Sequence, residues 1–112
     1  MNDHPTRTHY SGIDGTVGGG WLPILETLCT ELTALGWEGK LRQVKEKFGQ
    51  LRFYAVFPDT WPEETRRRAA HAIIVAEWLS LQTCESCGNP GLLRGEYWKK
   101  TRCDTCASLE ET

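Results

Sequence analysis

The sequence predicts an α+β fold in which two helices pack on a β-hairpin and a small zinc-ribbon or treble-clef-like element follows. Three observations carry this expectation. Apolar residues recur at helical spacing in two stretches, around Leu25–Leu35 and Ala69–Leu81, and an alternating run at Leu51–Phe57 lies between them. The last quarter of the chain holds two C-x-x-C pairs, Cys84-Glu-Ser-Cys87 and Cys103-Asp-Thr-Cys106, separated by 15 residues. The expected division is a flexible N-terminal arm over 1–20, a helix–hairpin–helix core over 21–83 and a four-cysteine element over 84–112.

Residues 1–20 contain His4, His9, Gly12, Asp14-Gly15 and Gly18-Gly19-Gly20 but few large apolar side chains, so they read as an arm with turns. The glycine triplet lacks the Gly-Lys-Ser/Thr ending of a phosphate loop and is expected to be a hinge. The first helix should open at Trp21 or Leu22, because Pro23 suits a first turn. Leu25, Leu28, Cys29, Leu32 and Leu35 form its apolar stripe, and Gly36 should end it with Trp37 folded back on the last turn. Cys29 lies on that stripe and reads as a small buried hydrophobe.

The run Lys40–Phe57 turns at Phe48-Gly49 and reads as a hairpin. In its second arm Leu51, Phe53, Ala55 and Phe57 alternate with Arg52, Tyr54 and Val56, the pattern of a half-buried strand. The first arm is more polar, and Lys45 and Lys47 would discourage edge-to-edge pairing there. Pro58 stops the strand. Thr60-Trp-Pro-Glu63 has the capping-box pattern, and the second helix should run from about Trp61 to Leu81. Its apolar residues cover most of its circumference, which predicts a central helix. Arg66-Arg67-Arg68 fan over a broad arc and read as a solvated first turn, and His71 as a packing residue.

Two C-x-x-C pairs at this spacing are the pattern of one structural zinc ion held by Cys84, Cys87, Cys103 and Cys106. Four sulfurs leave no open position for water or substrate, and an open position is what distinguishes a catalytic zinc. Disulfides fit less well, because the cysteine count is five and no apolar signal segment opens the chain. Between the pairs, Leu92–Arg102 should form a short hairpin turning at Gly95, with Tyr97 and Trp98 near the metal.

Charge is segregated along the chain. Residues 1–39 are net −4, 40–83 net +3 and 84–112 net −1, which leaves −2 in all. That balance lacks the broad basic field of a non-specific nucleic-acid binder. No apolar run reaches the roughly 18 residues of a membrane span, so the expectation is a cytoplasmic protein with no membrane partner. No motif places a nucleophile beside a base, which argues against an enzyme and against a small-molecule substrate.

The string Val44-Lys-Glu-Lys-Phe-Gly-Gln-Leu-Arg-Phe-Tyr54, with Gly20-Trp21 before it and Cys87-Gly88-x-Pro90-Gly91 after it, resembles a group of short phage- and prophage-encoded proteins without an assigned function. The resemblance spans roughly residues 20–107, a length that fits one compact domain. It implies a protein acting in the cytoplasm of a bacterial host and lends no catalytic residues. The expected role is stoichiometric binding to a protein partner, a host or defence component, with a nucleic-acid-binding regulator as the alternative. In either case the expected surface is Lys45, Lys47, Arg52, Tyr97, Trp98, Lys99 and Lys100, where aromatics meet cations.

Overall fold

A computed structural model describes residues 17–111; His4, His9 and the expected turns before Val17 lie outside the described residues. The architecture is α+β. A 3-10 turn at Gly19–Trp21 leads into α1 (Leu22–Leu35), followed by β1 (Leu41–Lys47), β2 (Gln50–Ala55), α2 (Glu63–Ser80), β3 (Leu92–Arg94), β4 (Lys100–Arg102) and α3 (Asp104–Glu111). The strands form two separate antiparallel hairpins, β1–β2 and β3–β4. No described helix is long and apolar enough to cross a membrane.

Helix α1 buries Leu25, Leu28, Cys29 and Leu32, the stripe expected from its spacing. It ends where the backbone of Gly36 turns left-handed (φ +110°), a conformation that a Cβ would strain. The Gly36 N–H donates to Thr33 O and the Trp37 N–H to Leu32 O, each at 3.0 Å, which is the Schellman arrangement. Trp37 is thereby folded back and buried. Its Nε1 donates to Lys40 O at 3.1 Å, and its ring meets Phe53 edge-on at 6.1 Å.

The first hairpin turns through Phe48 and Gly49, both at positive φ, as a two-residue turn between twisted strands requires. Val44 pairs with Phe53 and Glu46 with Leu51, which puts the two apolar side chains of β2 on the core face. Helix α2 lies along the open side of β2. The Leu51 N–H donates to Ser80 Oγ and the Phe53 N–H to Glu77 Oε2, both at 2.9 Å, so α2 satisfies outward-facing donors of this strand with its side chains. Covering a sheet edge with a helix removes a template for unwanted pairing.

Three expectations need correction. Thr60 does not cap α2, because the chain between Phe57 and Trp61 closes up as the two rings stack at 4.9 Å, and the N-cap position falls on Pro62 without a side-chain hydrogen bond. Glu63 and Glu64 still occupy the first turn, where they favour the helix dipole. Nor is α2 central. Only Ala69, Ala76 and Ser80 are fully buried on it, while Ile74, Val75, Trp78 and Leu79 face outward. Helix α1 and a two-stranded sheet cover one side of a helix, and among the described residues no third layer covers the other. His71, expected as a hydrogen-bonded or half-exposed packing residue, is exposed on that outer side. The third correction concerns the glycine triplet, in which Gly18 and Gly20 are packed against Cys84, Glu85 and Gly88 while Gly19 is exposed, so the segment is held and does not form a loose hinge.

Because Leu51 is fully buried, Ser80→Ala leaves its N–H without a partner. An unsatisfied buried donor costs about 1–3 kcal/mol. That loss is the expected outcome in urea unfolding, and an unchanged midpoint would show that the edge is satisfied in some other way.

Candidate metal centre and aromatic cleft

Each cysteine pair sits on a tight backbone turn. At the first pair the Gly88 N–H donates to Cys84 O at 2.9 Å and the Cys84 N–H to Asn89 O at 2.7 Å, closing a knuckle. The second pair belongs to the start of α3. Cys103 immediately precedes the helix and Cys106 lies in its first turn, with the Cys106 N–H donating to Cys103 Sγ at 3.4 Å. Knuckle, hairpin and helix in this order make the treble-clef plan, since a ribbon would carry its second pair on another knuckle.

The four Sγ atoms lie within 4.8 Å of one another, and those of Cys87 and Cys103 are 3.6 Å apart. A tetrahedral thiolate shell with metal–sulfur bonds near 2.3 Å places its sulfurs roughly 3.8 Å apart. A disulfide would need about 2.05 Å. All five cysteines are free, and four of them are arranged to hold one metal ion. Cys29 takes no part. It is buried on α1 within the hydrophobic cluster, and burial pushes its thiol up to about 12, so it stays a neutral packing group.

The electrostatics of the cluster favour a cation. Burial disfavours the thiolate of Cys84, but the backbone N–H groups of Cys103, Cys87 and Ser86 outweigh it and bring that thiol down to about 6. The hydrogen bonds of Cys106 with Cys103, Cys84 and Cys87 push its own thiol in the opposite direction, to about 12. One thiolate forms readily here. Cys87 and Cys106, crowded by the other sulfurs, hold their protons more tightly than an ordinary thiol.

The cluster is fastened to the core by polar contacts. Glu85, between the first two ligands, is buried; its backbone O accepts from the Gly20 N–H at 2.7 Å and its backbone N–H donates to Thr101 O at 3.0 Å. Its carboxylate accepts from the Gly18 N–H at 3.2 Å and from Arg102 at 3.1 Å. A Cβ on Gly20 would fall 2.5 Å from Gly88 N and nearer still to Cys84 O, so only glycine permits this approach. Trp21 Nε1 donates to Thr83 O at 2.9 Å, Thr101 Oγ1 to Gly49 O at 2.7 Å, and Lys100 Nζ to Glu46 Oε1 at 2.8 Å. Burial opposes the charge of Glu46, but hydrogen bonds from Lys100 and the Gly49 N–H, with the nearby charges of Lys100 and Arg102, hold its carboxyl below the usual range.

These contacts bring the β1–β2 turn against the β3–β4 loop and create an open cleft of about 230 Å³ between Glu46, Lys47, Phe48, Tyr97, Trp98 and Lys99. Phe48, Tyr97 and Trp98 expose 60, 93 and 81 % of their surface. Of the surface residues expected from the sequence, Lys47, Tyr97, Trp98 and Lys99 meet in this cleft. Lys100 is held in its ion pair with Glu46, while Lys45 and Arg52 face each other across the hairpin on the side away from the core. Tyr97 and Trp98 meet Phe48 of the hairpin turn across this cleft. Phe48 and Glu85 carry more than their sequence context suggests. The signals were an aromatic in a turn and an acid inside a C-x-x-C downstream of a glycine triplet.

No family model, curated protein or solved structure matches the chain.

Elemental analysis is expected to find one metal ion per chain, with affinity falling as pH is lowered, because each thiol must lose its proton to bind. Cys103→Ser should abolish stoichiometric uptake. Cys29→Ala should retain the metal and cost about 1 kcal/mol of stability through a small cavity. Full metal content in the first variant, or loss in the second, would overturn the ligand set.

Proposed function

We propose that the chain is a non-catalytic zinc protein that acts by stoichiometric binding of another protein through the aromatic cleft. The observation that carries this reading is the convergence of Phe48, Tyr97 and Trp98, all strongly exposed, on one cleft between the β1–β2 turn and the β3–β4 loop. Trp and Tyr are the residues that dominate binding hot spots, because a rigid ring buries a large area at low entropic cost. Leaving three of them in water is unfavourable unless a partner covers them.

Zinc is the ion that best suits a closed tetrahedral shell of four thiolates. With every position filled by sulfur the ion is structural, which supports a role in binding and not in chemistry. At about 230 Å³ the cleft is below the roughly 300–1,000 Å³ of a small-molecule site, and it suits an anchoring side chain of a larger partner. The likeness of Val44–Tyr54 to short phage and prophage proteins favours a host or defence protein as that partner, met in the bacterial cytoplasm.

A second reading has one observation in its favour. Lys47 and Lys99 flank the aromatics, with Lys47 Nζ 5.7 Å from the Phe48 ring centre, and stacked rings beside cations also suit a single-stranded nucleic acid.

Capture of partners from infected cells, with and without nuclease, separates the two. The expected result is a nuclease-resistant complex with one protein, little affected by salt, which Trp98→Ala weakens by about 2 kcal/mol while the zinc content is unchanged. Binding that disappears with nuclease and falls steeply with salt would replace the first reading by the second.

A further inference from the structure

The face of the β1–β2 hairpin turned away from the core carries an unbalanced positive charge. Lys45 lies directly opposite Arg52, and Lys47 follows on the same face two residues further along β1. A shift of register between Leu41 and Gln43 adds exposed Arg42 toward the other end of the strand. The only acid between Leu41 and Ala55 is Glu46. It pairs with Leu51 on the opposite face, where Lys100 and the Gly49 N–H already engage it.

Like charges set opposite each other across two strands are destabilising. Among the described residues none of these four cations enters an ion pair that would offset the repulsion. The Nε of Arg52 is moreover shut off from water without a hydrogen-bond partner. Charge held against the sheet in this way is left to be balanced from outside, by an anion that reaches Lys45 and the outer edge of the guanidinium together.

We infer that this face receives an acidic, extended segment of the protein bound at the cleft. Its carboxylates lie over Lys45, Arg52 and Lys47, and an adjoining apolar side chain enters between Phe48, Tyr97 and Trp98. The inference rests on the reading of the cleft as a protein-binding site. Lys47 joins the two surfaces, since it lies on the outer face and also lines the cleft. Alternate side chains of an extended chain point to one side and recur about every 6.6 Å, the same repeat that separates Lys45 from Lys47, so an acid at every second position meets both. Arginine adds direction, because its planar fork takes a carboxylate through parallel N–H bonds. The extent of the patch favours a short acidic segment over a nucleic acid. Its cations are confined to one hairpin face, and the chain as a whole is net −2, so a long polyanion running past the hairpin meets repulsion.

Fluorescence anisotropy of the metal-loaded full chain with a labelled synthetic peptide, one Leu followed by alternating Glu and Thr, tests this. The expected result is saturable binding that weakens more than tenfold when Gln replaces each Glu, and at least fivefold in Lys45→Glu. That substitution sets opposite charges across the strands, so the variant should keep its metal and unfold at no lower urea concentration than the parent, which separates lost binding from lost fold. Equal binding of the Glu and Gln peptides, binding of neither, unchanged affinity in Lys45→Glu, or tighter binding of an oligothymidylate of the same charge overturns the inference. The partner captured from cells separates its failure from that of the cleft. A captured protein that depends on Trp98 but not on Lys45 refutes the acidic segment alone, whereas capture of no protein refutes the reading of the cleft.

Discussion

Four cysteine sulfurs within 4.8 Å of one another are the contact on which the last third of the molecule depends. As thiolates they repel, and as thiols they offer only weak hydrogen bonds; a cation turns the same geometry into a strong attraction. The need for it is visible in the distribution of the core. Every buried residue of the hydrophobic cluster lies between Trp21 and Ala76, and none comes from β3, β4 or α3. Leu92, Leu93 and Leu109 are exposed. The C-terminal element thus has almost no apolar burial of its own, and a metal ion held by the four sulfurs would take the place that a core has in a larger unit.

Ligation explains the internal order of the element but not its position, and position is what the cleft requires. The contacts that set it are polar and come from two places. Glu85 and the knuckle receive the Gly18–Trp21 segment, while Thr101 and Lys100 of β4 receive the β1–β2 turn at Gly49 and Glu46. Trp21 belongs to both systems. Its ring is buried in the hydrophobic cluster and its Nε1 bonds the carbonyl just before the first ligand. A hydrophobic core and a metal core, each local, are in this way joined without a shared apolar interior.

The legible features of the sequence were those with a short-range cause. The stripe of α1, its Schellman end at Gly36-Trp37 and the register of β2 all depend on residues within a few positions of each other, and the ligand set was legible because each of its two pairs is a C-x-x-C. What escaped depended on distant contacts. The glycine triplet looks like a hinge until Cys84 O and Gly88 N are seen against Gly20. The same holds for α2, whose all-round apolar composition suggests burial on every side, although a chain of this length supplies only enough structure to bury one. Ser80 and Glu77 gave no local sign that they close the edge of β2, because their partners lie 24 and 29 residues away in sequence. For the cleft, the sequence indicated Lys47, Tyr97, Trp98 and Lys99 through charge and aromatic content, and Phe48 was hidden by its place in a turn.

The two exposed surfaces draw on different sources of order. Phe48 is fixed by the hairpin and hence by the hydrophobic core, whereas Tyr97 and Trp98 ride on the β3–β4 loop, which the cysteine cluster and the ties of β4 hold in place. The cleft is therefore a composite of two separately held parts, one from the hairpin turn and one from the β3–β4 loop. The outward apolar side of α2 is anchored by Ala69, Ala76 and Ser80 against α1 and β2, and none of these contacts involves a cysteine ligand.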